Sequence, residues 1–81
     1  MAVQPGILAR VTEVEFRNDQ QRTLPVGLLY IKVKNVGEAE AMFNNVTLLP
    51  QEEKTYPFVG KGYETMVFNA GISRIQIMYI I

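Results

Sequence analysis

The sequence predicts an all-β fold, a small antiparallel β-sandwich or barrel of about six to seven strands. Three observations predict it. Apolar residues alternate with polar ones in short runs. Those runs are separated by Pro, Gly and Asn. No stretch carries apolar residues at i, i+3, i+4 and i+7 over three turns, as an amphipathic helix would. With 81 residues the chain makes a single domain, 1–81.

The first run is ILARVTEVEF, residues 7–16. Ile7, Ala9 and Val11 share one face, then the phase slips to Val14 and Phe16. A bulge near Thr12–Glu13 would restore one apolar face. Residues 17–27 are polar and then carry Pro and Gly, which predicts a long loop.

LLYIKVKNVGEAEAMF, residues 28–43, predicts a hairpin around Asn35-Val36-Gly37. In that register Lys34 meets Glu38 and Lys32 meets Glu40, while Val33, Ile31 and Leu29 face Ala39, Ala41 and Phe43. Opposite charges directly across a ladder support a register. The competing reading makes 35–41 a crossover between two sheets. Asn44-Asn45 predicts a turn, Val46 to Leu49 a short strand and Pro50 to Glu53 a second turn. Lys54 to Phe58 is a strand that Pro57 confines to an edge or a bulge. Gly60-Lys61-Gly62 is a loop. Strands of roughly 63–69 and 73–80 follow, joined around Ala70-Gly71. Two registers stay open there: a longer loop pairs Phe68 with Ile75, a shorter one Val67 with Ile75.

Composition narrows the function classes. There are 0 Cys and 0 His, so disulfides, thiolate chemistry, Cys/His zinc sites and histidine acid–base catalysis are all outside its means. Lys+Arg and Asp+Glu are both 8, and no basic stripe marks a nucleic-acid binder. MAVQPGILAR lacks the basic and apolar regions of a signal peptide. No apolar run approaches the ~20 residues of a spanning helix.

Motif candidates dissolve on inspection. Gly60-Lys61-Gly62 lacks the Ser/Thr and the helix of a phosphate-binding loop. Glu13 with Glu15, and Glu52 with Glu53, are paired carboxylates, but the first pair reads as a solvated strand face and the second as a turn. Asn45-Val46-Thr47 matches a glycosylation acceptor without a secretory signal. Asn44, Asn45 and Asp19 lack the spaced array of a calcium loop. Tyr30, Tyr56, Tyr63 and Tyr79 read as partial covers of a thin core, with a sugar-stacking platform as the rival. No catalytic residue, cofactor or metal site is expected.

The C-terminal SRIQIMYII is the informative segment. Ile75, Ile77 and Tyr79 point to the core, with Ile81 following them. Arg74, Gln76, Met78 and Ile80 point the other way, beginning polar and ending apolar. Exposed apolar patches mark contacts, so Met78, Ile80 and Ile81 are the candidate protein interface. The strand would pack against another chain or add an edge to it. The rival reading has Met78 and Ile80 closing the core of one chain.

Two resemblances follow. VKNVGEAEAMFNNVTLLPQEEKTYPF resembles the N-x-G…A…N-V-x-L-x-P-G-E-x-x-T run of immunoglobulin-like adhesion modules, with Gln51 standing where that pattern has Gly. The whole chain resembles the small, Cys-free, all-β structural proteins of bacteriophage particles, such as capsid auxiliary, decoration and fibre-base proteins. That resemblance implies a non-enzymatic virion component, made in the host cytoplasm, whose partners are other protein chains in a homo-oligomer or a larger shell. Neither nucleic acid nor membrane is an expected partner. The alternative is an immunoglobulin-like or carbohydrate-binding β-sandwich.

Overall fold

A computed structural model describes residues 10–17 and 19–81. Its strands are β1 (Val11–Arg17), β2 (Arg22–Thr23), β3 (Tyr30–Asn35), β4 (Ala41–Phe43), β5 (Val46–Leu48), β6 (Glu53–Tyr56), β7 (Val67–Asn69) and β8 (Arg74–Ile80). They form two four-stranded antiparallel sheets, in the orders β1-β8-β3-β6 and β2-β7-β4-β5. The expected sandwich is thus present, with one strand more than expected. The addition is the two-residue β2, inside the segment read as a loop.

The pairs β1·β8, β2·β7, β3·β6 and β4·β5 nest inside one another. The chain is one long antiparallel hairpin, rolled so that successive pairs fall in alternate sheets. β3·β8 and β4·β7 stitch each sheet together. This winding is that of a jelly roll. In the immunoglobulin sandwich the first strand lies beside the second. Here it lies beside the eighth.

The core sits between the sheets. Ile31, Val33, Ile75 and Ile77 come from one sheet and Ala41, Phe43, Leu48 and Phe68 from the other, all buried. Phe68 stands edge-on to Phe16 at 4.8 Å and stacks at 5.9 Å on Phe43, which in turn touches Tyr56 at 5.8 Å. The Phe16–Phe68 and Phe43–Tyr56 contacts cross the sandwich, and aromatic pairs at such separations add to plain burial.

Both predicted hairpins that would have joined neighbouring long strands are corrected. β3 does not pair with β4, so Lys34 is not opposite Glu38 nor Lys32 opposite Glu40. β3 is flanked by β8 and β6, and Lys34 lies across from Glu53 and Gln76. Residues 36–40 are the crossover between sheets, the competing reading. The physical reason is core formation. A flat β3–β4 hairpin would present Ile31, Val33 and Phe43 on one face with nothing opposite. Crossing over places Phe43 against Tyr56 instead. In the same way β7 and β8 lie in different sheets, so neither register for their hairpin occurs.

The bulge at Thr12–Glu13 is also absent. β1 pairs residue for residue with β8, from Val11 opposite Ile80 to Arg17 opposite Arg74. Val11 therefore faces outward and is 60% exposed. Ile7 and Ala9, which motivated the bulge, lie outside the described residues. Of the other expectations, β5 and the edge position of β6 hold. The strand expected at 63–69 is reduced to β7, with Tyr63 making a single bridge to Leu28.

Asn35 secures both crossovers. It is fully buried at the end of β3. Its Nδ2 donates to the Ala39 carbonyl at 2.7 Å and to that of Leu48, on β5 in the facing sheet, at 2.9 Å. Its Oδ1 accepts from the Gly37 N–H at 3.1 Å and the Ser73 hydroxyl at 2.6 Å. A buried amide with all four positions used carries no desolvation penalty for unmet polar atoms.

Candidate functional site

Alternation along the strands builds the outer face of the β1-β8-β3-β6 sheet. With Ile31, Val33, Ile75 and Ile77 inward, every second residue must face out. The register then lines up rows across the strands. Val11, Ile80 and Tyr30 make one row; Glu13, Met78, Lys32 and Thr55 the next; Glu15, Gln76, Lys34 and Glu53 a third. Glu13, Lys32, Lys34, Glu53, Gln76 and Met78 surround a shallow depression of about 270 Å³ on this face. Met78 and Ile80 are neighbours on β8 and half-buried.

The structure thus brings Met78 and Ile80 together on the side away from the core. The rival reading, in which they close a core, does not describe it. One part of the edge-addition idea is corrected. β8 is hydrogen-bonded on both sides, to β1 and β3, and has no free backbone edge. Any contact it makes is through its face. Ile81 lies apart from that row, on the other parity. It exchanges both backbone bonds with Arg10 and is 52% exposed. Val11 and Tyr30, which widen the apolar row across three strands, were missed from the sequence. The expected bulge turns Val11 inward, and the expected hairpin register over 28–43 puts Tyr30 opposite Met42.

In the Met78 and Gln76 rows the charges separate by strand: β1 carries Glu13 and Glu15, β3 carries Lys32 and Lys34, and β8 between them carries Gln76 and Met78, while Arg17 and Arg74 at the far end and Glu53 on β6 share the same face. Glu15 is held by Arg17 at 2.8 Å and by Arg74 at 3.7 Å. Lys32 reaches Glu53 at 3.6 Å. Among the described residues Glu13 and Lys34 make no ion pair.

Comparison with family models, curated proteins and solved structures returns no match. The reading of the site therefore rests on its own geometry.

The remaining candidates have structural roles. Gly60 adopts a φ of 97°, and a Cβ on Gly62 would lie 2.7 Å from the Gly27 backbone, so the glycines serve the turn and its packing. Glu52 Oε1 accepts from the Leu49 N–H at 3.1 Å and closes the β5–β6 turn. Asn44 and Asn45 take φ of 50° and 63°, the pair of left-handed residues that a two-residue hairpin turn requires. Asp19 accepts from Asn69 at 2.9 Å. Among the described residues no three Asp or Glu side chains lie close enough to share a metal ion. No helix among the described residues is long and apolar enough to cross a membrane. The four tyrosines form no common platform: Tyr56 and Tyr79 turn toward the core, Tyr63 meets Tyr56 edge-on at 6.1 Å, and Tyr30 faces out.

A second concavity, about 440 Å³, opens on the outer face of the other sheet. Gln21, Glu40, Asn45, Thr47 and Asn69 line it, with Met42 at its apolar side.

Proposed function

We propose that this protein is a non-enzymatic structural or assembly component of a virion, of the capsid auxiliary, decoration or fibre-base kind, acting through protein–protein contacts. One observation carries the reading. Val11, Ile80, Tyr30 and Met78 form an apolar patch on the sheet face that its own core does not use. Contiguous apolar surface of this sort marks contact sites. Two further points support it. The jelly roll is a recurrent architecture of capsid proteins, a fold-level analogy. A formal net charge of +0 does little to keep copies apart. The protein would be made in the host cytoplasm and work in the particle.

The test is incorporation. A tagged chain expressed in the producing cell should band with virions in a density gradient. The Met78→Glu, Ile80→Lys double variant should leave that band while keeping its far-ultraviolet circular dichroism. A wild-type chain that stays in the soluble fraction overturns the proposal.

The groove of about 440 Å³ favours a second reading, a carbohydrate-binding sandwich. Three amides, a hydroxyl and a carboxylate there could meet sugar hydroxyls, and lectins also use jelly rolls. Shifts confined to the Asn45 and Asn69 amide resonances on adding oligosaccharides would favour it over the assembly reading.

A further inference from the structure

We infer that the outer face of β1, β8 and β3 binds a second copy of this chain. The two copies stack face to face about a two-fold axis running parallel to β8. This rests on the reading above, that the face is a protein contact, and it names the partner.

The argument is charge complementarity under a symmetry operation. A two-fold axis parallel to β8, lying in the contact plane, keeps each row at its own level and exchanges the β1 side with the β3 side. Glu13 then lies over Lys32 of the second copy, and Glu15 over its Lys34. Glu13 and Lys34, which make no ion pair among the described residues, both gain opposite charges nearby. Val11 meets Tyr30, while Ile80 and Met78 meet their own copies along the axis. An in-plane axis across the strands would keep β1 over β1. It would place glutamates over glutamates and lysines over lysines. The charges therefore select one of the two simple stackings, and such patterns fix register more than they add raw affinity. At the far end Arg74 faces its own copy. Its guanidinium is already turned aside to Glu15 and to the Val36 carbonyl at 3.1 Å.

Size sets the strength. Strands of about seven residues, at about 3.3 Å per residue and about 4.8 Å apart, make a three-strand face on the order of 300–400 Å². That is below the area of stable interfaces and in the range of weak ones. The dimer should have a dissociation constant on the order of 100 μM and weaken as salt rises.

The experiment is sedimentation of the pure chain over concentrations up to about 1 mM. Wild type should show a concentration-dependent dimer. Glu13→Lys with Glu15→Lys should weaken it about tenfold or more, as should Lys32→Glu with Lys34→Glu. All four substitutions in one chain restore the pattern with its sides exchanged and should restore the dimer. A thiol introduced by Met78→Cys, nitroxide-labelled, should report its own copy within about 20 Å, since stacked sheets lie about 10 Å apart. The Thr47→Cys control on the other sheet should not. A monomer at every concentration overturns the inference, as does a dimer indifferent to the reversals or not restored by the fourfold exchange. Particle banding is scored separately, so a monomeric chain that still bands with virions defeats the dimer and leaves the assembly reading standing.

Discussion

Ser73 donates its hydroxyl to Oδ1 of Asn35 at 2.6 Å, joining the loop before β8 to the end of β3, 38 positions away in sequence. Both residues are buried. The same Asn35 holds the Ala39 and Leu48 carbonyls. One amide thus ties both crossovers, 36–40 and 70–73, to β5 on the facing sheet.

Removing its partners one at a time should give graded losses. Ser73→Ala leaves Oδ1 with the Gly37 N–H and should cost about 1–2 kcal/mol. Asn35→Leu strands the Gly37 N–H and two carbonyls in the interior, at about 1–3 kcal/mol for each group left unmet. Urea unfolding should show the second loss well above the first, and comparable losses would show that the amide is not the hub.

Gly37 should tolerate nothing larger. A Cβ there would lie 2.0 Å from Ser73 Oγ and 2.7 Å from the Arg74 N, and the latter is backbone that cannot swing away. Gly37→Ala should cost more than Gly71→Ala, although Gly71 is the one with positive φ (60°), since the nearest atom to a Cβ at Gly71 is the Glu40 carbonyl at 3.5 Å. Left-handed backbone costs about 1–2 kcal/mol for an ordinary residue. Overpacking a fixed site costs more than that only if it cannot relax. Equal melting temperatures for the two variants would argue against the close packing.

Gln51 carries a φ of 68° in the turn between β5 and β6, exposed to solvent. Its N–H donates to the Asn35 carbonyl at 2.8 Å, and that bond does not involve the side chain. Gln51→Gly should therefore stabilise the fold by up to about 1 kcal/mol, the relief of left-handed strain less the extra freedom of glycine in the unfolded chain. A loss of stability would mean that the side chain contributes a contact of its own.

These residues show what was legible in the sequence. Alternation gave the strand faces, so Ile31, Val33, Ile75 and Ile77 were correctly read as inward. Turn chemistry gave Asn44-Asn45 and the 50–53 turn. Strand partners were not legible, because period-2 alternation is satisfied by any neighbour of matching pattern. Lys32 and Lys34 fit the Glu38 and Glu40 run as well as they fit β6, where Lys32 in fact meets Glu53. What decides between them is the need for an opposing apolar layer, a property of the whole chain. The candidate site was half legible for the same reason. Met78 and Ile80 follow from one strand's alternation. Val11 and Tyr30 join them only through pairings that bring together residues about 50 to 70 positions apart.

The aromatic bridge through Phe68 offers the sharpest test of which residues face inward. Phe68 is buried between Phe16 on one sheet and Phe43 on its own. Its neighbour Val67 is 37% exposed on the outer face. Phe68→Ala removes the ring that spans the sandwich and should cost about 3–5 kcal/mol. Domains of this size have total stabilities of only about 5–15 kcal/mol, and small ones sit at the low end. The variant should therefore be partly unfolded at 37 °C, with lost near-ultraviolet dichroism. Val67→Ala should shift the urea midpoint only slightly, as surface changes do. If the two variants were equally stable, β7 would have to sit in the opposite register, and with it the pairing of Phe43 with Phe68 that positions the whole second sheet.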